Sequence, residues 1–98
     1  NPMPPDSAPE DVAWAMPRRY PQPLKTFEQK IALSGRAPPP RHYVYATRSG
    51  PGDTFRRFAE RAKAEPGWTY WEIDASHNPH ITCPDRLFDL LTRIMATP

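Results

Sequence analysis

Three features of the sequence predict an α/β fold, read as one end of a doubly wound, mostly parallel sheet. Two short runs rich in aromatic and β-branched residues, His42-Tyr43-Val44-Tyr45-Ala46-Thr47 and Trp68-Thr69-Tyr70-Trp71-Glu72-Ile73, suit buried strands. Each is followed by a segment with helical spacing of its apolar residues. A helix between two strands implies parallel pairing by a right-handed crossover. Two parallel strands do not fill a sheet, because parallel sheets are covered on both faces and run several strands wide. The remaining strands are therefore expected from outside these 98 residues.

Proline divides the chain into residues 1–40 and 41–98. Ten of its fifteen prolines precede Arg41, ending in Pro38-Pro39-Pro40. Proline fixes φ and removes a backbone donor, so this part should consist of extended segments and short helical turns without a sheet. Ser7-Ala8-Pro9-Glu10 reads as a capping box opening a short helix through Trp14. Leu24 and Phe27 have the spacing of a second helical turn, with Pro23 at its start.

After the first strand, Gly50-Pro51-Gly52 breaks the pattern, and Asp53 or Thr54 can cap a helix. Phe55, Phe58, Ala59 and Ala62 form its apolar stripe, with Arg56, Arg57, Glu60, Arg61 and Lys63 outward, and Pro66-Gly67 ends it. Residues 74–81, beyond the second strand, read as a polar loop. Thr82-Cys83-Pro84-Asp85 then opens a final helix whose stripe is Leu87, Leu90, Leu91 and Ile94, widened by Phe88 and Met95.

Composition excludes several classes. Thirteen Lys and Arg interleave with eleven Asp and Glu, leaving a formal charge of +2 and little drive toward a phosphate backbone. The one dense basic spot, Arg18-Arg19 with Lys25 nearby, reads as a solvated face, so no nucleic-acid partner is expected. No apolar run reaches the roughly 18 to 20 residues of a membrane span, so no membrane partner is expected. Residues 1–11 have neither a basic nor an apolar signal region, and the Asn1 start reads as processed or truncated. Cys83 is the sole cysteine, which excludes an internal disulfide and a cysteine metal cluster and fits a reducing, cytoplasmic setting. Between Thr82 and Pro84 it reads as a packing residue rather than a nucleophile. His77 and His80 lack a third ligand, so neither a metal nor another cofactor is expected.

Ligands and catalytic groups of open α/β sheets gather at the carboxyl ends of the strands. Two loops lie there, residues 48–53 and 74–80. The second carries His77, and the first carries Asp53. A histidine beyond a strand end with an acid in the neighbouring loop is what a Ser-His-Asp hydrolase requires, because the acid orients the imidazole that takes the serine proton.

Tyr43-Val44-Tyr45-Ala46-Thr47, the helix near Phe55, and Trp71-Glu72-Ile73-Asp74-Ala75-Ser76-His77 followed by Pro84-Asp85-Arg86-Leu87 resemble the last two strand-helix units of α/β-hydrolases. The resemblance is to the esterase-like branch that includes plant methylesterases and hydroxynitrile lyases. Trp14 and the segment from Pro21 to Phe27 are similar to the end of that branch's helical cap. It implies a C-terminal segment of a serine hydrolase, with residues 1–40 the end of a cap and linker and residues 41–98 the last two units of the core. His77 matches the family's catalytic histidine, with His80 its understudy and otherwise a surface or capping-loop residue; His42, opening a strand, reads as structural.

The implied activity is hydrolysis of a small carboxylic ester through an acyl-enzyme. The nucleophile would stand on an elbow in an N-terminal remainder of the protein, since Ser34-Gly35 and Ser49-Gly50 lack the strand and helix context of one. The acid departs from the pattern: Ser49 stands where this branch often has Asp. Asp53 is the nearest carboxylate, with helix capping an equal explanation for it, and an acid on an earlier strand is a third reading. Trp14, Tyr20 and Phe27 either line an apolar pocket or pack the cap. The rival readings are a hydroxynitrile-lyase-like enzyme and a non-catalytic interaction module built on proline-rich segments such as Pro2 to Pro5.

Overall fold

A computed structural model describes residues 3–97. Among the described residues, the proline-rich part holds three short helical pieces and no strand: α1 (Pro9–Ala15), a 3-10 turn (Met16–Arg18) and α2 (Lys25–Glu28). Pro9 at the first helical position starts α1, but the expected capping box does not form. Ala8 takes the N-cap position in extended conformation, because the fixed φ of Pro9 brings the helix start one residue later than Ser7. The Ser7 amide instead donates to the Pro4 carbonyl at 3.0 Å, closing a turn, and the Ser7 hydroxyl has no partner. Thr26 holds the start of α2 through its amide and hydroxyl, both donating to the Pro23 carbonyl. Residues 30–40 are exposed and form neither helix nor strand. Pro2, part of the proline-rich motif named above, lies outside the described residues.

The remainder is mixed α/β. Strand β1 (Arg41–Ala46) pairs in parallel with β2 (Trp68–Ile73), and α3 (Arg56–Ala64) makes the crossover. The register places Val44 opposite Trp71 and Ala46 opposite Ile73. Alternation along the strands then separates two faces. Tyr43, Tyr45, Trp68 and Tyr70 lie toward α3, whose buried residues are Ala59 and Ala62. Small side chains there let the helix approach the aromatic face, where Tyr43 meets Trp68 edge-on at 6.3 Å.

Val44, Ala46, Trp71 and Ile73 lie on the other face, against α5 (Pro84–Met95). The core is here: Ile73, Ala75, Cys83 and Leu90 are buried, with Leu87 and Ile94 packed against them. Burying a side chain of the size of Ile73 or Leu90 contributes ~1.5–3 kcal/mol. Cys83 is a free, buried packing residue at the N-cap of α5. The segment expected as a wholly polar loop contains an extra helical turn, α4 (Pro79–Thr82). Pro79 supplies a helical φ at its first position, and the Thr82 hydroxyl donates back to the Asn78 carbonyl at 3.2 Å.

The stripes are narrower than the spacing implied. Phe88 and Met95 are exposed, and Leu91 is close to half exposed. A sheet of two strands gives α5 only one strand, β2, to pack on closely, so the outer part of its apolar face has nothing to cover it. No helix among the described residues is long and apolar enough to cross a membrane.

Candidate active site

The carboxyl ends of β1 and β2 are joined before their loops diverge. The Thr47 amide donates to the Ile73 carbonyl at 3.0 Å, and the Arg48 amide to the Ala75 carbonyl at 2.9 Å. The Arg48 guanidinium then grips Asp74 with two bonds, Nε to Oδ1 at 2.8 Å and an Nη to Oδ2 at 3.1 Å. This fork holds the Asp74 carboxyl below its usual range. Arg86 of α5 donates to the Asp74 carbonyl at 2.9 Å, so the loop that carries His77 is tied to both its neighbours.

Between the loops lies a cleft of about 720 Å³, and His77, Asp53, Ser49, Ser76 and Tyr45 all line it. The two candidate residues are thus brought to one cavity. They are not joined by a hydrogen bond among the described residues. Both oxygens of Asp53 are engaged elsewhere: Oδ1 accepts the Phe55 amide at 2.9 Å, and Oδ2 accepts the Tyr45 hydroxyl. The Tyr45 hydrogen bond is the main cause of a lowered Asp53 pKa, supported by the Phe55 amide and the nearby Arg56 charge against partial desolvation. The same bond raises the Tyr45 pKa. Asp53 is therefore an ionised anchor just ahead of α3; the N-cap position expected for Asp53 or Thr54 falls instead to Phe55, with no side-chain cap bond, because Asp53 spends its Oδ1 on the Phe55 amide.

His77 is exposed, and its imidazole stacks on Phe55 with ring centroids 5.3 Å apart and planes 17° apart. Ser49 donates its hydroxyl to the Ala46 carbonyl at 3.0 Å, closing the turn after β1. His42 is structural: its Nδ1 accepts the Trp71 indole N–H at 3.0 Å. His80 sits exposed on α4. Among the described residues no three His, Cys, Asp or Glu side chains gather as a metal site. Trp14, Tyr20 and Phe27 are all exposed and none lines this cleft.

Three features of the site were not read from the sequence. Phe55 was assigned to the apolar stripe of α3, yet it precedes the helix and is 45% exposed. Its signal was Asp53 two residues earlier, the spacing at which an Asp side chain caps the backbone amide ahead. Tyr45 read as a strand residue, and its hydroxyl contact with Asp53 has no local sequence signature. Ser76 is 5% exposed with no hydrogen-bond partner for its hydroxyl. Comparison with protein-family models, curated proteins and solved structures finds no match to this chain.

Proposed function

We propose that the chain is the histidine-bearing C-terminal segment of a serine hydrolase of the α/β-hydrolase type, a carboxylesterase acting on a small ester through an acyl-enzyme. The observation that carries this reading is that His77 and Asp53, on separate loops at the carboxyl ends of a parallel strand pair, line one cleft. An imidazole at such a position suits a proton shuttle.

In this mechanism a serine supplied by the rest of the protein enters the cleft beside His77. The imidazole takes the serine proton as the oxygen attacks the ester carbonyl, and returns it to the leaving alcohol. Water then attacks the acyl group while His77 again accepts the proton, and the serine is restored. Asp53, kept ionised by Tyr45 and the Phe55 amide, places a fixed negative charge in the same cleft and favours the transient imidazolium. The oxyanion-hole amides belong to the nucleophile-bearing part. The exposed Leu91, Phe88 and Met95 along α5 support docking of further core against this segment.

The test is labelling of the complete protein with a fluorophosphonate serine probe, in wild type and in His77→Ala. Labelling in wild type that is lost in His77→Ala is the expected result; a wild-type protein that takes no label refutes the hydrolase reading. Cleavage of a cyanohydrin without ester hydrolysis would move the activity to the hydroxynitrile-lyase type. The exposed, unstructured backbone of residues 30–40 favours one rival, a non-catalytic proline-rich interaction module, which a complete protein without a reactive serine would support.

A further inference from the structure

Phe55 stands one residue ahead of α3, at its N-cap, and is 45% exposed. Its main chain is held on both sides. The amide donates to Asp53 Oδ1 at 2.9 Å, and the carbonyl accepts the Phe58 and Ala59 amides, each at 3.0 Å. With the backbone so fixed, Phe55 lines the cleft, and its phenyl ring lies nearly parallel to the imidazole of His77, with centroids 5.3 Å apart.

We propose that Phe55 is a positioning residue that sets His77 and Asp53 relative to each other. The inference rests on the reading of His77 as general base. An exposed histidine on a loop samples several staggered rotamers. A flat aromatic surface against one face of the imidazole selects the rotamer that stacks, and leaves the ring edge, with both nitrogens, free for proton transfer. Because the amide of the same residue binds Asp53, a single rigid point at the start of α3 places both groups.

The experiment compares Phe55→Leu and Phe55→Tyr with wild type in the full-length protein. It reads the His77 side-chain rotamer by NMR couplings and ring-proton shifts, and kcat and KM for a small ester. Leu keeps an apolar side chain and the amide bond to Asp53 while removing the flat face. In Phe55→Leu the His77 couplings average over rotamers and kcat falls about tenfold while KM stays within about twofold, the signature of lost orientation. Phe55→Tyr restores both. A single unchanged His77 rotamer in Phe55→Leu overturns the proposal, as does a kcat unchanged by that substitution. Wild-type protein without ester turnover refutes the hydrolase reading instead, and the rotamer comparison then decides the positioning role alone.

Discussion

Tyr45 of β1 donates its hydroxyl to Asp53 across the first turn of the loop, tying a buried strand residue to the entrance of α3. The bond lowers the Asp53 pKa and raises that of Tyr45. The signs set a window. A depressed carboxyl contributes stability above its unfolded value of about 3.9, lost as pH falls through the lower folded value. A raised phenol contributes below its unfolded value of about 10, lost as pH rises through the higher folded value. The contact is therefore intact across the neutral range. In Tyr45→Phe the Asp53 carboxyl titrates at higher pH than in wild type, which carboxyl-carbon NMR reads; an unmoved titration would deny the bond its role.

Tyrosine ionisation gives a second check. Tyr70, beside Glu72 on β2, is pushed up to about 12, first by desolvation and then by the Glu72 hydrogen bond at 3.0 Å. Tyr43 is raised as well, by desolvation and the Asp53 charge. Near-ultraviolet absorbance followed with rising pH should show Tyr70 ionising near pH 12. Glu72→Gln should bring that step down, since it removes the adjacent negative charge.

The Arg48–Asp74 fork is solvent-exposed, and its role is placement more than stability. Asp74→Asn should leave the unfolding midpoint almost unchanged while speeding amide exchange in the loop that carries His77. High salt should have the same direction of effect in the wild type, because exposed ion pairs are screened.

The core predicts a larger cost. Leu90 is 3% exposed and packs with Ile73, Ala75 and Cys83. Leu90→Ala should destabilise by ~2–4 kcal/mol in denaturant unfolding, through lost burial and the cavity left behind. Phe88→Ala on the same helix, at 69% exposure, should change stability far less unless further core covers it.

Two glycines of the loop after β1 separate backbone strain from crowding. Gly52 has φ of 79° and nothing within 4 Å of an added Cβ, so Gly52→Ala should cost about 1–2 kcal/mol through the left-handed backbone alone. Gly50 is equally open and lacks a positive φ, so Gly50→Ala should be neutral or stabilise by up to ~1 kcal/mol. Equal costs at the two positions, measured by thermal unfolding, would contradict this account.

Secondary structure was largely legible because it depends on local pattern. Both strands fall within one residue of the expected bounds, and the parallel crossover follows from placing a helix between them. The errors lie where a local rule met a competing one. Proline moved the start of α1 past Ser7, and Pro79 nucleated a turn inside residues expected as loop. Phe55 matched the helical repeat but fell just outside the helix, where the repeat has no force.

Chain order and residue chemistry by themselves determined the α/β class, the two loops at the strand ends, and the candidacy of His77 and Asp53. These follow from periodicities of two and 3.6 residues and from side-chain type, which any stretch of sequence carries within itself. Only the tertiary structure decided that Asp53 bonds Tyr45, and that His77 lies against Phe55. Those partners come from different elements, and a contact across a cleft depends on how α3 and the loop after β2 pack together. No local spacing in the chain encodes that distance.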